Sequence, residues 1–418
     1  MVAVPVAFMP ARRIFDRTVL AVAPWWRSLL GTLGGVRFIG VTGSAGKTTT
    51  AALIAASLRV SGRVRHTNRF VGHLNAPRLI ARLVLTTTPL HHFCLCELAT
   101  AGPGTLARYV RVVRPHIGVV TNVAWDHYTA FHGLDVTARE KRVLIEALSP
   151  EGTAVLNADD PRVTAMRGFT HARVLTFGLG SDAAVRGEDV AAAWPERLSL
   201  TVRHGTDHVR VQTRLVGEHF AHAVLAAMAT AVAAGVPLAA AAHALRDVEP
   251  VEGRYSVHAV DGITFVRDDW KAPLWSIPAA LRFMETARAR RKILVLGTIS
   301  DHPSDASRRY RAVARQAALV VDRIIFVGNM AHHARRGPSA PEADRILAFD
   351  TVHTLDRFLG EYLEKGDLVL IKGSNRADHL QRLVLARAGK HRCWRPRCGR
   401  PIFCAECSLR ASLFVPGS

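Results

Sequence analysis

Short apolar runs that end at glycine or at a polar turn alternate along this chain with longer alanine- and leucine-rich stretches of helical period. The alternation predicts strands at 36–42, 92–98, 116–121 and 153–157, with helices after the glycine turn at 43–46, near 104–113 and near 136–147. Strands separated by helices argue for a largely parallel sheet with both faces covered. Residues 198–213 alternate polar and apolar positions around Gly205 and predict a hairpin. Alanine-rich helices are expected at 218–234 and 238–246. A second unit is expected from Pro250, with strands at 256–260, 263–267, 292–297, 323–328 and 367–371. The runs Ile293–Gly297, Ile324–Gly328 and Leu368–Gly373 are buried-strand patterns closed by glycine, a repetition typical of a doubly wound, Rossmann-like domain.

The turn between the first strand and its helix reads Gly43-Ser44-Ala45-Gly46-Lys47-Thr48-Thr49. Glycines let successive backbone N–H groups curl around phosphate, and the helix N-terminus adds a favourable dipole. Lys47 can reach the outer phosphates and Thr48 can ligate Mg²⁺. The eight-position phosphate-loop pattern wants glycine where this chain has Val41. The shorter Gly-x-x-Gly-Lys-Thr-Thr form suits ligases that activate a carboxylate with ATP better than GTPases or kinases. The expected fold is therefore α/β, with a P-loop ATPase-type parallel-sheet domain at 36–249 and a Rossmann-like C-terminal domain at 250–388. An amphipathic segment at 1–35 precedes them and a small four-cysteine element at 389–418 follows.

Composition narrows the picture only in part. The formal charge of +21 would suit nucleic acid, anionic lipid or anionic substrates, but the arginines are spread along the chain, and a GC-rich coding sequence explains them equally well. Residues 11–33 mix arginines with apolar and tryptophan positions, which fits a helix packed on its own domain or one lying on a membrane surface. No secretory signal and no membrane-spanning run is expected, so the expectation is a cytoplasmic protein, with peripheral membrane contact left open. Of the six cysteines, Cys94 and Cys96 fall in an apolar strand and suit packing. Cys393, Cys398, Cys404 and Cys407 lie on Pro/Gly-turned loops near the end, a set suited to one structural Zn²⁺, with two disulfides or an iron–sulfur cluster as the alternatives.

Beyond the glycine turn come Glu97 at a strand end, Thr121-Asn122, Asp126-His127, Lys141 and Asn157-Ala158-Asp159-Asp160-Pro161. Gly253-Arg254, Asp268-Asp269-Trp270-Lys271 and Lys372-Gly373-Ser374 follow. In this order and spacing the chain resembles the Mur ligases, from about residue 36 to 388, and most closely the branch that adds D-alanyl-D-alanine. The resemblance implies an ATP-dependent ligase that phosphorylates a carboxylate and lets an amine attack the acyl phosphate, giving an amide. It implies nucleotide contacts from Gly43, Ser44, Ala45, Gly46, Lys47, Thr48 and Thr49. Thr48 and Glu97 would hold one Mg²⁺, and His127 and Lys141 the second, the lysine often as a carbamate in the family. Lys47, His127, Lys141 and Arg254 would carry the chemistry, Arg254 on phosphate and Asp268 on ribose. Because Arg254 and Asp268 belong to a different domain from Lys47, turnover is expected to need domain closure.

Two departures qualify the resemblance. The family's asparagines after the hairpin are missing from Gly217-Glu218-His219-Phe220-Ala221-His222-Ala223, which leaves adenine to His222, backbone groups or Asn157. The phosphate loop begins at residue 43, which leaves no room ahead of it in this chain for the family's UDP-precursor domain. The expected partners are thus a small-molecule or peptide carboxylate acceptor and an amine donor, with a protein supplying acceptor or ammonia as a further option. Nucleic acid is not expected. The alternatives are a lipid-linked peptidoglycan-amidating subunit working with a glutaminase, or a regulatory ATPase with a nucleic-acid-binding zinc tail.

Overall fold

The computed structural model describes residues 9–66, 77–125, 128–301, 305–335, 343–396 and 398–412. It forms two compact units, one of residues up to 191 with 198–214 and 220–248, the other of 192–197, 215–219 and 249 onward. The short segments 192–197 and 215–219 join the second unit without any shift in composition that would announce it.

The first unit is built on a nine-stranded sheet. Its strands are β1 (Arg37–Thr42), β2 (Val64–His66), β3 (Phe93–Glu97), β4 (Ile117–Val120), β5 (Thr153–Asn157), β6 (Arg173–Gly178), β7 (Val185–Ala191), β8 (Ser199–His204) and β9 (Asp207–Gln212). They lie in the order β2-β3-β1-β4-β5-β6-β7-β8-β9, parallel as far as β7 and antiparallel beyond it. The chain leaves β1 toward β2 and β3 on one side and returns to β4 on the other. The C-terminal end of β1 is thus a topological switch point, where open α/β sheets bind ligands. The apolar runs at β1, β3, β4 and β5 are buried on both faces, as parallel strands under helices must be. Alternation alone marked the β8–β9 hairpin. The strands β2, β6 and β7 escaped sequence reading; β2 spans three residues and β7 is charged, reading Val-Arg-Gly-Glu-Asp-Val-Ala.

Two glycines set how closely the helices approach this sheet. A Cβ at Gly40 would lie 3.0 Å from the Leu144 and Leu98 methyls, and one at Gly118 would lie 3.3 Å from Leu144. The helix Leu134–Glu146, which carries Lys141, therefore packs directly on β1 and β4. Helix Met9–Thr32 packs on helices Pro77–Leu85 and Thr105–Val113. Trp26 donates from Nε1 to the Thr87 carbonyl at 2.9 Å and Arg27 from Nε to the Val113 carbonyl at 2.9 Å. Among the described residues no helix is long and apolar enough to cross a membrane.

The second unit holds a six-stranded sheet of β10 (Ser256–Val260), β11 (Ile263–Asp268), β12 (Arg291–Leu296), β13 (Arg323–Val327), β14 (Ile346–Phe349) and β15 (Asp367–Lys372). The order is β10-β11-β15-β12-β13-β14, parallel apart from β10. Strand β15 enters between β11 and β12, so Asp268 at the end of β11 stands opposite Lys372 at the end of β15.

One half-buried histidine ties the first unit's stability to pH. The Phe38 N–H donates to His116 Nδ1 at 2.8 Å, so that nitrogen must stay unprotonated. Burial, with Arg27 and Arg37 adding, pulls the His116 pKa down to about 4. The unfolded chain takes up the proton near the ordinary value of about 6.5, so the stability this contact contributes is complete above that pH and is lost as pH falls toward 4. Thermal melts should show the midpoint dropping across that window and level above it. His116→Gln, which keeps an acceptor for Phe38, should lessen the slope.

Candidate active site

The glycine turn projects from the C-terminal end of β1 and opens directly into helix Lys47–Leu58. Gly46 precedes that helix at φ +75° and Gly43 sits at φ +149°, both in the region that favours glycine. At Gly43 the requirement is also steric, because a Cβ there would lie 1.8 Å from Thr121 Oγ1. That hydroxyl donates to the Ala45 carbonyl at 2.7 Å, fastening the turn to the end of β4. Asn122 then accepts at Oδ1 from the amides of Ser44 (3.0 Å) and Ala45 (2.8 Å), the N–H groups a phosphate would use. Lys47 Nζ donates to the carbonyls of Gly43 (2.6 Å) and Ser44 (3.3 Å), within the same turn.

Glu97 ends β3 opposite Val41 and so reaches the same point from the neighbouring strand. The Thr48 hydroxyl donates to Glu97 Oε1 at 3.0 Å. These are two hard oxygen donors side by side at the head of the phosphate loop, a pairing that fits Mg²⁺. Thr49 is buried behind them. Lys141 is fully buried on helix Leu134–Glu146, an expensive place for an ammonium group. Its neighbour Glu140 accepts from the amides of Gly104 (2.7 Å) and Leu106 (2.6 Å), capping helix Thr105–Val113 and fixing Lys141's own helix to it. His127 lies outside the described residues.

Asn157 is engaged within the protein. Its Nδ2 donates to the Thr121 carbonyl at 2.8 Å and its Oδ1 accepts from the Asp159 amide at 3.0 Å, so the buried side chain braces β5 against the strand end that holds the phosphate loop. His222 is also engaged, with Nε2 2.8 Å from Asp159 Oδ2. Burial opposes the Asp159 charge, but the amides of Leu179 and Gly180 together with His222 hold its pKa below the ordinary carboxylate value. Adenine recognition through either side chain would have to be shared with these partners.

In the second unit Gly253 turns at φ +70° and presents Arg254, half-buried, while Asp268 is paired with Lys372 Nζ. Asp269 is fully buried against Arg267, 3.1 Å from its Nη2. Sequence reading missed Asp378. Its Oδ2 accepts from the amides of Thr298 and Ser374, each at 2.8 Å, and its Oδ1 from the Thr298 hydroxyl at 2.6 Å. It thereby joins the loops after β12 and β15. The only signal was the pair of glycines beside it, since a Cβ at Gly297 would fall 2.3 Å from Asp378 Oδ2.

The four C-terminal cysteines are free and line one small cavity of about 20 Å³ with His379 and Arg382. Burial pushes the Cys404 thiol up to about 12. Among the described residues no three His, Cys, Asp or Glu side chains are drawn together tightly enough to hold a metal ion, so the zinc expectation is not shown.

Residues 41–231 match the Mur ligase middle domain and 253–375 the Mur ligase glutamate ligase domain. The UDP-N-acetylmuramoyl-tripeptide–D-alanyl-D-alanine ligase of Mycobacterium tuberculosis H37Rv is 30% identical over 369 residues, which cover 82% of this chain and 71% of the relative. The Synechocystis ligase of the same description is 29% identical over 383 residues, 87% of this chain and 77% of its own. Crystal structures of MurF from Acinetobacter baumannii (TM-score 0.79, 22% identity, 90% of this chain and 81% of that one) and of MurF ligase from Thermotoga maritima in complex with ADP (0.75, 20%, 90% and 84%) share the fold. The chain belongs to the Mur ligase family. It is accordingly an ATP-dependent ligase that forms carbon–nitrogen bonds, with ATP and Mg²⁺ the cofactors typical of the family.

The fit between Gly43 and Thr121 gives a direct test. Gly43→Ala puts a methyl where the Thr121 hydroxyl stands and strains the backbone as well. Calorimetric titration with Mg²⁺·ATP should show binding lost, while circular dichroism shows the sheet retained.

Proposed function

We propose that this chain joins the carboxylate of a peptide-bearing acceptor to the amine of an amino acid or short peptide. The acceptor class fits a UDP-linked muramoyl tripeptide and the amine D-alanyl-D-alanine, the substrates named for the mycobacterial relative. A carboxylate oxygen attacks the γ-phosphorus and the bond to ADP breaks, leaving an acyl phosphate. The amine then attacks its carbonyl carbon, loses a proton, and inorganic phosphate departs. The observation that carries the proposal is the Thr48–Glu97 contact at the head of the glycine turn, where phosphate-binding amides, a lysine and hard metal-ion donors meet.

Each residue has a distinct role. The amides of Ser44 to Thr49 and the Lys47 ammonium take up the charge that moves onto the transferred phosphoryl group. Bound Mg²⁺ would supply further neutralisation of that charge. Thr48 and Glu97 would hold one ion. His127 and Lys141 are assigned to the second; a buried ammonium has no lone pair for a metal, whereas the lysine carbamate would offer anionic oxygen donors that Mg²⁺ would neutralise. Arg254 would approach phosphate, and Asp268, held in place by Lys372, the ribose. Lys47→Ala should lower turnover about 100- to 1,000-fold, the scale seen when one donor to developing charge is removed. The measurement is acceptor- and amine-dependent ADP release, with hydroxylamine trapping the acyl phosphate as a hydroxamate. Unchanged turnover in that variant would overturn the assignment.

The tail is assigned one structural Zn²⁺ on Cys393, Cys398, Cys404 and Cys407. The shared cavity, the absence of disulfides among these described cysteines and the buried Arg382 guanidinium beside them support it. Elemental analysis should find about one zinc per chain, and less in Cys407→Ser. Metal-free protein with all six thiols titrating would refute it.

A further inference from the structure

Phe403 sits next to the third cysteine of the tail, yet its ring packs against the Gly253 and Trp270 loops of the second unit. It is buried, and its place in the second unit is defined by its contacts, beginning with Trp270, whose centroid lies 5.2 Å away. Two of its ring carbons lie 3.2 Å from where a Gly253 Cβ would be. The Arg267 guanidinium carbon stands 5.7 Å from the ring centroid. One aromatic ring therefore touches the Gly253-Arg254 turn, the residue after the Asp268-Asp269 pair, and the buried base that Arg267 makes with Asp269. The two loops are also bonded to each other, since the Trp270 amide donates to the Gly253 carbonyl at 3.3 Å.

A second set of contacts reaches the same loops from the tail backbone. The Asn375 amide donates to the Trp270 carbonyl at 3.1 Å, and Asn375 Nδ2 donates to the Ile402 carbonyl at 3.4 Å. Gln381 Nε2 donates to Asn375 Oδ1 at 3.1 Å, and Gln381 Oε1 accepts from the Ala405 amide at 3.3 Å. Asn375 and Gln381 are both buried, so breaking any one link strands a polar group away from water. The tail is thus held on both sides of Phe403, and its hold continues through Asn375 into the loop after Asp268.

We propose that the cysteine-bearing tail sets the geometry of the nucleotide-contacting loops, with Phe403 as the positioning residue for Arg254 and Asp268. The proposal rests on the reading of those two residues as nucleotide contacts. A ring packed against a left-handed glycine leaves the Arg254 turn one conformation. Without it, Gly253 regains freedom and Trp270 loses its flat neighbour. Displacements on the order of 1 Å in positioning groups can reduce rates about 100-fold, so a loosened turn should be measurable.

The test uses the full chain and Mg²⁺ with a non-hydrolysable ATP analogue, followed by calorimetric titration. Phe403→Ala should weaken binding about ten-fold or more, and Phe403→Tyr, which restores the ring, should recover most of that loss. In an Arg254→Ala background the added effect of Phe403→Ala should shrink to the part carried through Asp268, because positions acting through one group are non-additive. Equal losses in both backgrounds, or binding by Phe403→Ala like that of the unaltered chain, would overturn the proposal. If Phe403→Ala fails to fold, Asn375→Ala and Gln381→Ala decide the matter by the same comparison. Should the unaltered chain bind no nucleotide, or Lys47→Ala bind it normally, the ligase reading itself fails. Nucleotide binding that depends on Lys47 but not on Phe403 removes only this inference.

Discussion

The close approach of Gly43 to Thr121 is the constraint on which the phosphate loop depends. Strand β1 is buried between β3 and β4, so its end is fixed by two ladders. The chain must then reverse within a few residues into a helix that packs on the same sheet. Thr121 makes this possible by bonding the Ala45 carbonyl from the end of β4, and it can stand there only because residue 43 has no side chain. Asn157 and Asp160 extend the support, the first through the Thr121 carbonyl and the second through the Val123 amide at 2.7 Å. The loop is shaped by a ring of strand ends rather than by its own sequence.

The second unit solves a related problem with charge. Strand β15 separates β11 from β12, and the loops leaving these strands carry backbone amides with no ladder to satisfy them. Asp378 satisfies two of them, and burial pushes its pKa up even though those bonds oppose the shift. Asp268 and Lys372 neutralise each other across the same edge, with Lys372 almost wholly buried. Removing one member of such a buried pair would leave an uncompensated charge.

Much of this was legible in the sequence. Buried parallel strands such as Ile293–Leu296 are recognisable from unbroken apolar runs, and the glycine turn identifies itself because Lys47 and Thr48 follow a strand and open a helix. Asp268 and Lys372 were each visible as candidates, but their pairing depends on β15 entering between earlier strands, which no local pattern reveals. The bonds Asn157 makes to Thr121 and Asp159 were hidden for the same reason. An asparagine at a strand end looks equally suited to a ligand or to a neighbouring carbonyl, and the choice is made by which strand lies beside it. The charged strand β7 and the exchanged segments 192–197 and 215–219 are likewise tertiary outcomes, invisible to periodicity.

Helix Leu134–Glu146 shows how a structural residue and a candidate catalytic one share an element. Gly40 and Gly118 bring the helix down onto the sheet, and Glu140 locks it by capping the helix at Thr105–Val113. The next residue, Lys141, is thereby held beneath the surface with little freedom to move its amine toward water. An ordinary surface lysine would need no such placement, and an ionised one would resist it. The packing that seats the helix thus also constrains its candidate residue: Gly40, Gly118 and the Glu140 cap hold Lys141 where an ammonium group is costly.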